Sequence, residues 1–264
     1  MNRSDDENYH GLVAQSYDLF RGDEEVEELP WFLFYKRRLE ERPGLALEPA
    51  CGTGRILLPF LKAGFPMEGT DSSAEMLAIC RQKAETMGLS PVLYEQYMQE
   101  TNLPKHYTTI LIPLGSFILI RQHADAREAL RRFHAHLVEG GQLVFSTPTP
   151  SPQHLTPRSE QSDTFGEPSI VTLPSNGATI TLKTTSAWDR FEQIQESRQV
   201  YELRDNAGQL LKIEEHHSIT RWYGKYEMLL MLQEAGFRSM KVFSNHTDEE
   251  ADSESWSRIY WAEK

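Results

Sequence analysis

From Leu45 onward, short apolar runs alternate with stretches whose apolar residues recur every three or four positions. Leu45 to Leu47 predicts a strand, ended by Glu48-Pro49 and a small-residue turn, Ala50 to Gly54. Ile56, Leu57, Phe60 and Leu61 then fall at helical spacing as far as Gly64. Phe65 to Thr70 predicts a second strand ending at Asp71, Ser73 to Met87 a helix with Met76, Leu77 and Cys80 on one face, and Pro91 to Tyr94 a third strand. The β-branched run Thr108 to Leu114 has the continuous apolar character of a strand buried on both faces. Ala129, Leu130, Phe133 and Leu137 mark the next helix, with Asp125 and Glu128 spaced as a capping box and Gly140-Gly141 as its stop. Gln142 to Thr147 is a fifth strand. This alternation predicts a parallel sheet with helices on both faces.

Two amphipathic segments precede that rhythm: Tyr9 to Phe20, and, after the acidic stretch Asp23 to Glu28, a helix opening at Pro30 and stopped by Arg42-Pro43-Gly44. The polar residues 1 to 8 are expected to fray. The rhythm breaks at Pro148. Residues 148 to 177 are rich in proline, serine and threonine and read as a long loop. Three alternating segments follow, Ala178 to Trp188, Gln193 to Leu203 and Gln209 to Arg221, with Asp205 to Gly208 as a hairpin turn. A helix from Lys225 to Ala235, a strand Ser239 to Phe243, an acidic loop Asp248 to Glu254 and a last strand Ser257 to Ala262 restore the first pattern. The expected organisation is therefore 1–147 as N-terminal helices and the first part of the main domain, 148–223 as an antiparallel insertion or cap, and 224–264 as the remainder of the main domain.

Composition narrows the classes of function. With 264 residues, 39% hydrophobic and 10% aromatic, the chain can bury a full core. Its formal charge of -12, with no basic run beyond Lys36-Arg37-Arg38, disfavours a nucleic-acid partner. No apolar run approaches the ~20 residues that span a bilayer, and the start lacks a signal-peptide core, so no membrane partner is expected. Cys51 and Cys80 have neither metal-ligand nor disulfide-framework spacing. No metal site is expected, and the compartment is expected to be reducing, hence cytoplasmic.

Candidate chemistry centres on LALEPACGTGR, Leu45 to Arg55. Glycines at such a strand-to-helix junction let the backbone approach a ligand closely, and the free amides opening the helix point at it. The run EPACGTGR resembles the glycine-rich motif of class I S-adenosylmethionine-dependent methyltransferases, and the resemblance continues through Asp71 in GTDSS, Met76, Met98, IPLGSF and Gly140-Gly141. It implies a Rossmann-like α/β fold, a doubly wound and mostly parallel seven-stranded sheet with an inserted antiparallel β cap. It also implies S-adenosylmethionine as cofactor: the glycine turn with Glu48, Ala50, Gly52, Gly54 and Arg55 at its methionine end, Asp71 at the ribose, an adenine pocket near Gln96, Tyr97 and Met98, and Pro113, Leu114, Gly115 and Ser116 under the sulfonium, with Ser72 and Met76 as further cofactor-binding candidates. Many members carry an acid directly before the methionine of the adenine pocket, where this chain has Tyr97. A nicotinamide-binding turn would need its third glycine at position 57, which is Leu57.

Adenine-specific DNA methyltransferases share the glycine motif, but their proline-pair tetrad after the fourth strand is replaced here by LIPLGSF. Tyr17-Asp18, the insertion, and Arg221-Trp222-Tyr223 are similar instead to small-molecule methyltransferases of the amino-sugar and glycine N-methyltransferase-like group. The implied acceptor is a small molecule methylated at nitrogen or oxygen. In-line displacement on an activated sulfonium needs alignment and exclusion of water, and a general base is optional for an amine. Tyr17, His123 and Tyr223 are the candidate catalytic residues, with Tyr17 also over the cofactor; His216 and His217 are weaker candidates because strand neighbours face opposite ways. A cofactor-binding or interaction protein without turnover remains the alternative, and the oligomeric state is open.

Overall fold

The computed structural model describes residues 9–22, 26–151, 156–161 and 163–264. The expected fraying of residues 1 to 8 and the acidic residues 23 to 25 lie outside the described residues. In chain order the elements are α1 (Gly11–Arg21), α2 (Pro30–Glu41), β1 (Ala46–Pro49), α3 (Leu57–Lys62), β2 (Met67–Asp71), α4 (Ala74–Thr86), β3 (Val92–Glu95), β4 (Tyr107–Ile112) and α5 (His123–His136). Then come β5 (Leu137–Pro148), β6 (Ser169–Thr172), β7 (Thr179–Asp189), β8 (Ile194–Arg204), β9 (Leu210–Arg221), α6 (Lys225–Glu234), β10 (Arg238–Ser244) and β11 (Ser257–Glu263). Two compact units result, the larger from 25–151 and 221–264, the smaller from 1–24 and 152–220.

The larger unit carries a seven-stranded sheet in the order β10-β11-β5-β4-β1-β2-β3. The β1–β2, β2–β3, β1–β4 and β4–β5 pairs are parallel, and β11 runs antiparallel to both its neighbours. The central strands are buried on both faces, which is why their sequences are continuous apolar runs. Leu47, Ile110, Ile112, Phe145 and Tyr260 belong to one core with Leu130 and Phe133 of α5 and Met228 and Leu232 of α6. Ala46, Leu111, Val144 and Ile259 belong to the other, with Phe34 and Tyr35 of α2, Phe60 of α3 and Leu77 of α4. Each large apolar side chain buried this way is worth about 1.5–3 kcal/mol. Strand order reverses between β1 and β4, and open α/β sheets bind ligands at the carboxyl ends of the strands at such a point.

Two local readings of the sequence are corrected here. Asp125 is not the cap of α5: the helix already starts at His123, Gln122 stands at the cap position, and Glu128 is turned to Arg131 and Arg132, at 2.7 and 2.6 Å. Nor do Gly140 and Gly141 stop that helix. Leu137 already pairs with Tyr107 of β4, and the register shifts before Thr109 meets Gln142. Gly140, at φ +72°, and Gly141, where a Cβ would sit 2.9 Å from the Val138 carbonyl oxygen, belong to this irregularity within β5.

The smaller unit holds an antiparallel sheet in the order β6-β7-β8-β9. β7 and β8 pair from Thr179–Arg204 to Asp189–Ile194, and the Asp205 carboxylate accepts the Ala207 and Gln209 amides in the turn that follows. The segment expected to be all loop supplies β6. It pairs with β7 through its backbone while Ser169, Ile170 and Thr172 stay exposed, so it carries no burial signal. Helix α1 packs on this sheet: Leu12 and Val13 share a core with Ile180 and Tyr201, and the Leu12 amide donates to Glu214 at 2.5 Å. Among the described residues no helix is long and apolar enough to cross a membrane.

Candidate functional site

The site is built at the carboxyl ends of β1, β2 and β4 in the larger unit. After Pro49 the chain passes through positive φ at Ala50 (55°), Gly52 (55°) and Gly54 (78°). Gly54 has to be glycine, because a Cβ there would lie 2.6 Å from Cys80 Sγ and 2.8 Å from Leu58 Cγ. The turn is pinned by the Cys51 amide on the Thr70 carbonyl (2.9 Å) and by the Leu58 amide on the Gly54 carbonyl (3.0 Å). Met76 packs beneath it, its Cε 3.3 Å from where a Gly52 Cβ would be.

Asp71, at the end of β2, is only 9% exposed. Its Oδ2 accepts the Gly52 amide at 2.8 Å and its Oδ1 accepts the Ser73 amide at 2.8 Å, so the carboxylate ties the second strand end to the glycine turn. Burial pushes its pKa up in spite of these donors. A carboxylate has about four lone-pair sites, so each oxygen can still accept a vicinal hydroxyl. Ser73 caps α4 by accepting the Met76 amide at 3.2 Å, and the Gln96 amide on the Asp71 carbonyl (3.0 Å) brings Tyr97 and Met98 alongside. Met98 is buried and Tyr97 half-buried.

Glu48 is the most unusual group. It is 2% exposed, and its Oε2 has no hydrogen-bond partner among the described residues. Burial, reinforced by the neighbouring Asp71 charge, raises its pKa well above the carboxylate range, while the Leu57 amide pulls the other way. Two buried acids, one with an orphaned oxygen, beside the glycine turn suit a ligand that brings a cation and hydroxyl donors.

The third lip is the end of β4. Leu114 stands in the left-handed region at φ 56° and is exposed, and Gly115 follows at 79°. The Gly115 amide donates to Ser146 Oγ of β5 at 2.9 Å, and Ser116 Oγ donates to the Pro113 carbonyl at 3.2 Å. The structure thus brings Glu48, Ala50, Gly52, Gly54, Arg55, Asp71, Ser72, Met76, Tyr97, Met98, Leu114 and Ser116 to one edge of the sheet. Ser146 escaped the sequence reading. Its signal was a hydroxyl directly after the apolar run Leu143 to Phe145 of β5.

The catalytic candidates separate. Tyr223 is fully buried, and its hydroxyl donates to the Ile120 carbonyl at 2.8 Å. Burial raises its pKa further, so this geometry gives it a structural bond in place of a base's role. His123 opens α5 half-exposed, with Nδ1 3.6 Å from Glu227 and Nε2 3.2 Å from Arg221 Nη1. Tyr17 belongs to the smaller unit, edge-on to Tyr9 at 5.7 Å and under the Arg21 guanidinium at 5.3 Å. His216 is buried near Tyr9, and the exposed His217 bonds Glu215 at 2.8 Å. No cluster of metal-ligating side chains occurs among the described residues.

A model of the methyltransferase domain family matches residues 46–141. The dTDP-3-amino-3,6-dideoxy-alpha-D-glucopyranose N,N-dimethyltransferase of Streptomyces fradiae is 28% identical over 176 residues, 66% of this chain and 64% of that protein. Among solved structures, an S-adenosylmethionine-dependent methyltransferase from Clostridium acetobutylicum aligns with a TM-score of 0.74 at 18% identity, covering 94% of this chain and 96% of that one. The sugar N-methyltransferase KedS8 from Streptoalloteichus aligns at 0.69 and 20% identity, covering 98% of each. The domain match thus lies across the glycine turn, Asp71 and the end of β4, and the solved structures share the fold of nearly the whole chain.

Proposed function

We propose that this protein transfers a methyl group from S-adenosylmethionine to a nitrogen or oxygen of a small molecule, with an amine of a sugar-like acceptor as the favoured class. The observation that carries the donor's placement is the orphaned, buried Oε2 of Glu48 beside Asp71. Glu48 would hold the ammonium of the methionine end beside the glycine turn, and Asp71 the ribose hydroxyls. Met76, Tyr97 and Met98 would flank the adenine. Bound there, the cofactor supplies an activated sulfonium methyl. The protein's own contribution is to align donor and nucleophile and to exclude water.

An amine that loses its proton on binding needs no strong base. With the Tyr223 hydroxyl committed to Ile120, His123 is the base candidate in the larger unit. The sugar-amine class is taken from the Streptomyces fradiae and KedS8 enzymes, whose names state it. Cys51 and Cys80 are both buried and form no disulfide among the described residues, in keeping with a cytoplasmic location.

S-adenosylhomocysteine is expected to raise the melting temperature in proportion to RT ln(1 + [L]/Kd), and Asp71→Ala to abolish the shift. A radiolabelled-methyl screen of amino sugars should then give product. Calorimetry showing no binding of S-adenosylhomocysteine would sink the reading. Binding without turnover on any acceptor would leave a cofactor-binding protein.

A further inference from the structure

A cavity of about 380 Å³ lies within the smaller unit, and none of the residues assigned to the donor lines it. That volume falls in the range of about 300–1,000 Å³ that small-molecule sites occupy. Its floor follows from the strand register. Thr185 stands opposite Arg198, and Ala187 opposite Glu196, across the β7–β8 pair, so alternation puts these four side chains on one face of the sheet. Leu182 and Tyr201, which share a core with Leu12 of α1, alternate onto the other face. Glu215 and His217 of β9 join the floor: Arg198 Nε and Nη2 donate to the Glu215 carboxylate at 2.6 and 2.8 Å, and His217 bonds the same carboxylate at 2.8 Å.

The rim comes from the segment before β6. The Gln161 side chain bonds the Trp188 backbone through both ends of its amide, at 2.7 and 2.8 Å, and the Gly166 amide donates to the Thr184 carbonyl at 3.0 Å. Between those ties the Phe165 ring lies beneath the Arg198 guanidinium at 5.3 Å, and Asp163 accepts from Arg158 at 2.9 Å.

Most of the charge here is spent internally. Glu215 is drawn down to about 2 by Arg198, with His217 adding to the effect, and Asp163 is held by Arg158. Glu196 is different. It lines the cavity, is exposed, and makes no hydrogen bond or ion pair with another described residue. The Thr185 hydroxyl makes none either, and of the five donors of a guanidinium Arg198 spends two on Glu215, from Nε and Nη2. The cavity thus offers a carboxylate, a hydroxyl and guanidinium N–H groups, with Ala187 and Ile219 as its apolar wall. An anion would meet Glu196 and Asp163 and is disfavoured. A protonated amine satisfies Glu196, hydroxyls beside it satisfy Thr185 and Arg198, and their carbon skeleton covers the apolar wall.

We infer that this cavity is a binding site for an aminated polyol, a protonated amine with hydroxyl groups on adjoining carbons. Glu196 is the partner of its ammonium, and Thr185 and Arg198 are the partners of its hydroxyls. The site stands on the smaller unit alone and requires nothing of the donor site.

The test is titration calorimetry of the full chain with glucosamine, and with glucose as the same ring lacking the amine. Glucosamine should bind saturably and at least about tenfold more tightly than glucose, because only the amine makes a charge-assisted bond to Glu196. Glu196→Gln should erase that preference while leaving the melting temperature and the affinity for S-adenosylhomocysteine unchanged. Thr185→Val should weaken glucosamine and glucose alike. Absence of saturable glucosamine binding to the wild type, equal affinities for the two sugars, a preference that survives Glu196→Gln, or unchanged affinities in the Thr185→Val protein would each overturn the site. S-adenosylhomocysteine titrated into the same preparation reports on the donor separately, and its failure to bind would overturn the donor reading while leaving this site intact.

Discussion

At the scale of the residue, Glu48 sets function against stability. A carboxylate with an unpartnered oxygen in a buried position beside Asp71 destabilises the ligand-free fold, because desolvation and like charge both oppose ionisation. Glu48→Gln keeps the shape and can still accept the Leu57 amide while removing the charge. It should raise the melting temperature of the ligand-free protein by a few degrees, corresponding to about 1 kcal/mol in a chain of this size. The same substitution should weaken S-adenosylhomocysteine at least tenfold, since the ligand's ammonium loses its counter-charge. Thermal denaturation and calorimetry on one preparation check both signs, and a Glu48→Gln protein that melts lower with undiminished affinity would remove Glu48 from the site. Gly52, Gly54 and Asp71 were legible in the sequence because backbone geometry and strand ends leave a residue-type signature. Ser146 was not. Its meaning lies in its bond to the Gly115 amide, separated by 31 positions.

At the scale of the element, the alternation of strands and helices was readable because burial on both faces forces continuous apolar runs, as in β4 and β5. What failed were signals with two physical causes. Paired glycines end helices, but they also relieve close backbone contact, as Gly141 does against Val138. An acid three residues before a glutamate can cap a helix, but Glu128 found arginines instead. β6 was invisible because edge pairing needs only backbone. The segment leading into α6 illustrates how a tyrosine can mislead: its expected role was chemical, and its observed bond joins this segment to the end of the turn after β4. Tyr223→Phe should therefore cost about 1–3 kcal/mol of stability by leaving the buried Ile120 carbonyl without its partner. Methyl transfer, measured well below the melting temperature, should fall less than threefold. A loss of a hundredfold or more with unchanged melting would restore Tyr223 as a base.

At the scale of the whole molecule, the buried groups make opposite demands as pH changes. Glu48 and Asp71 have raised pKa values in the fold, so they hold protons that the unfolded chain releases. The stability they contribute is present below the ordinary carboxylate range and is lost as pH rises through their raised values. His246, lowered to about 4 by burial, acts from the other side: the unfolded chain takes up a proton near pH 6.5 that the fold refuses, so stability falls as pH drops from about 6.5 towards 4. Tyr35 faces this ring from α2, and the charges nearby along the chain, Arg37, Arg38 and Asp248, are paired with one another. Glu128, drawn down to about 2 by Arg131 and Arg132, adds a loss between its ordinary value and that pH. The expected outcome is a ligand-free melting temperature that depends weakly on pH between about 5 and 7, where the acid and histidine contributions oppose each other. Single substitutions should expose the two slopes. Glu48→Gln leaves only Asp71 opposing the histidine contribution and should tilt stability towards a rise with pH through this window; His246→Gln leaves both acids and should make it fall. Binding of S-adenosylhomocysteine favours ionised Glu48 and Asp71, so its affinity should decline as pH drops towards 5, with proton release visible as buffer-dependent enthalpy in calorimetry. An affinity independent of pH across that range, with no proton release, would mean that neither acid meets the ligand.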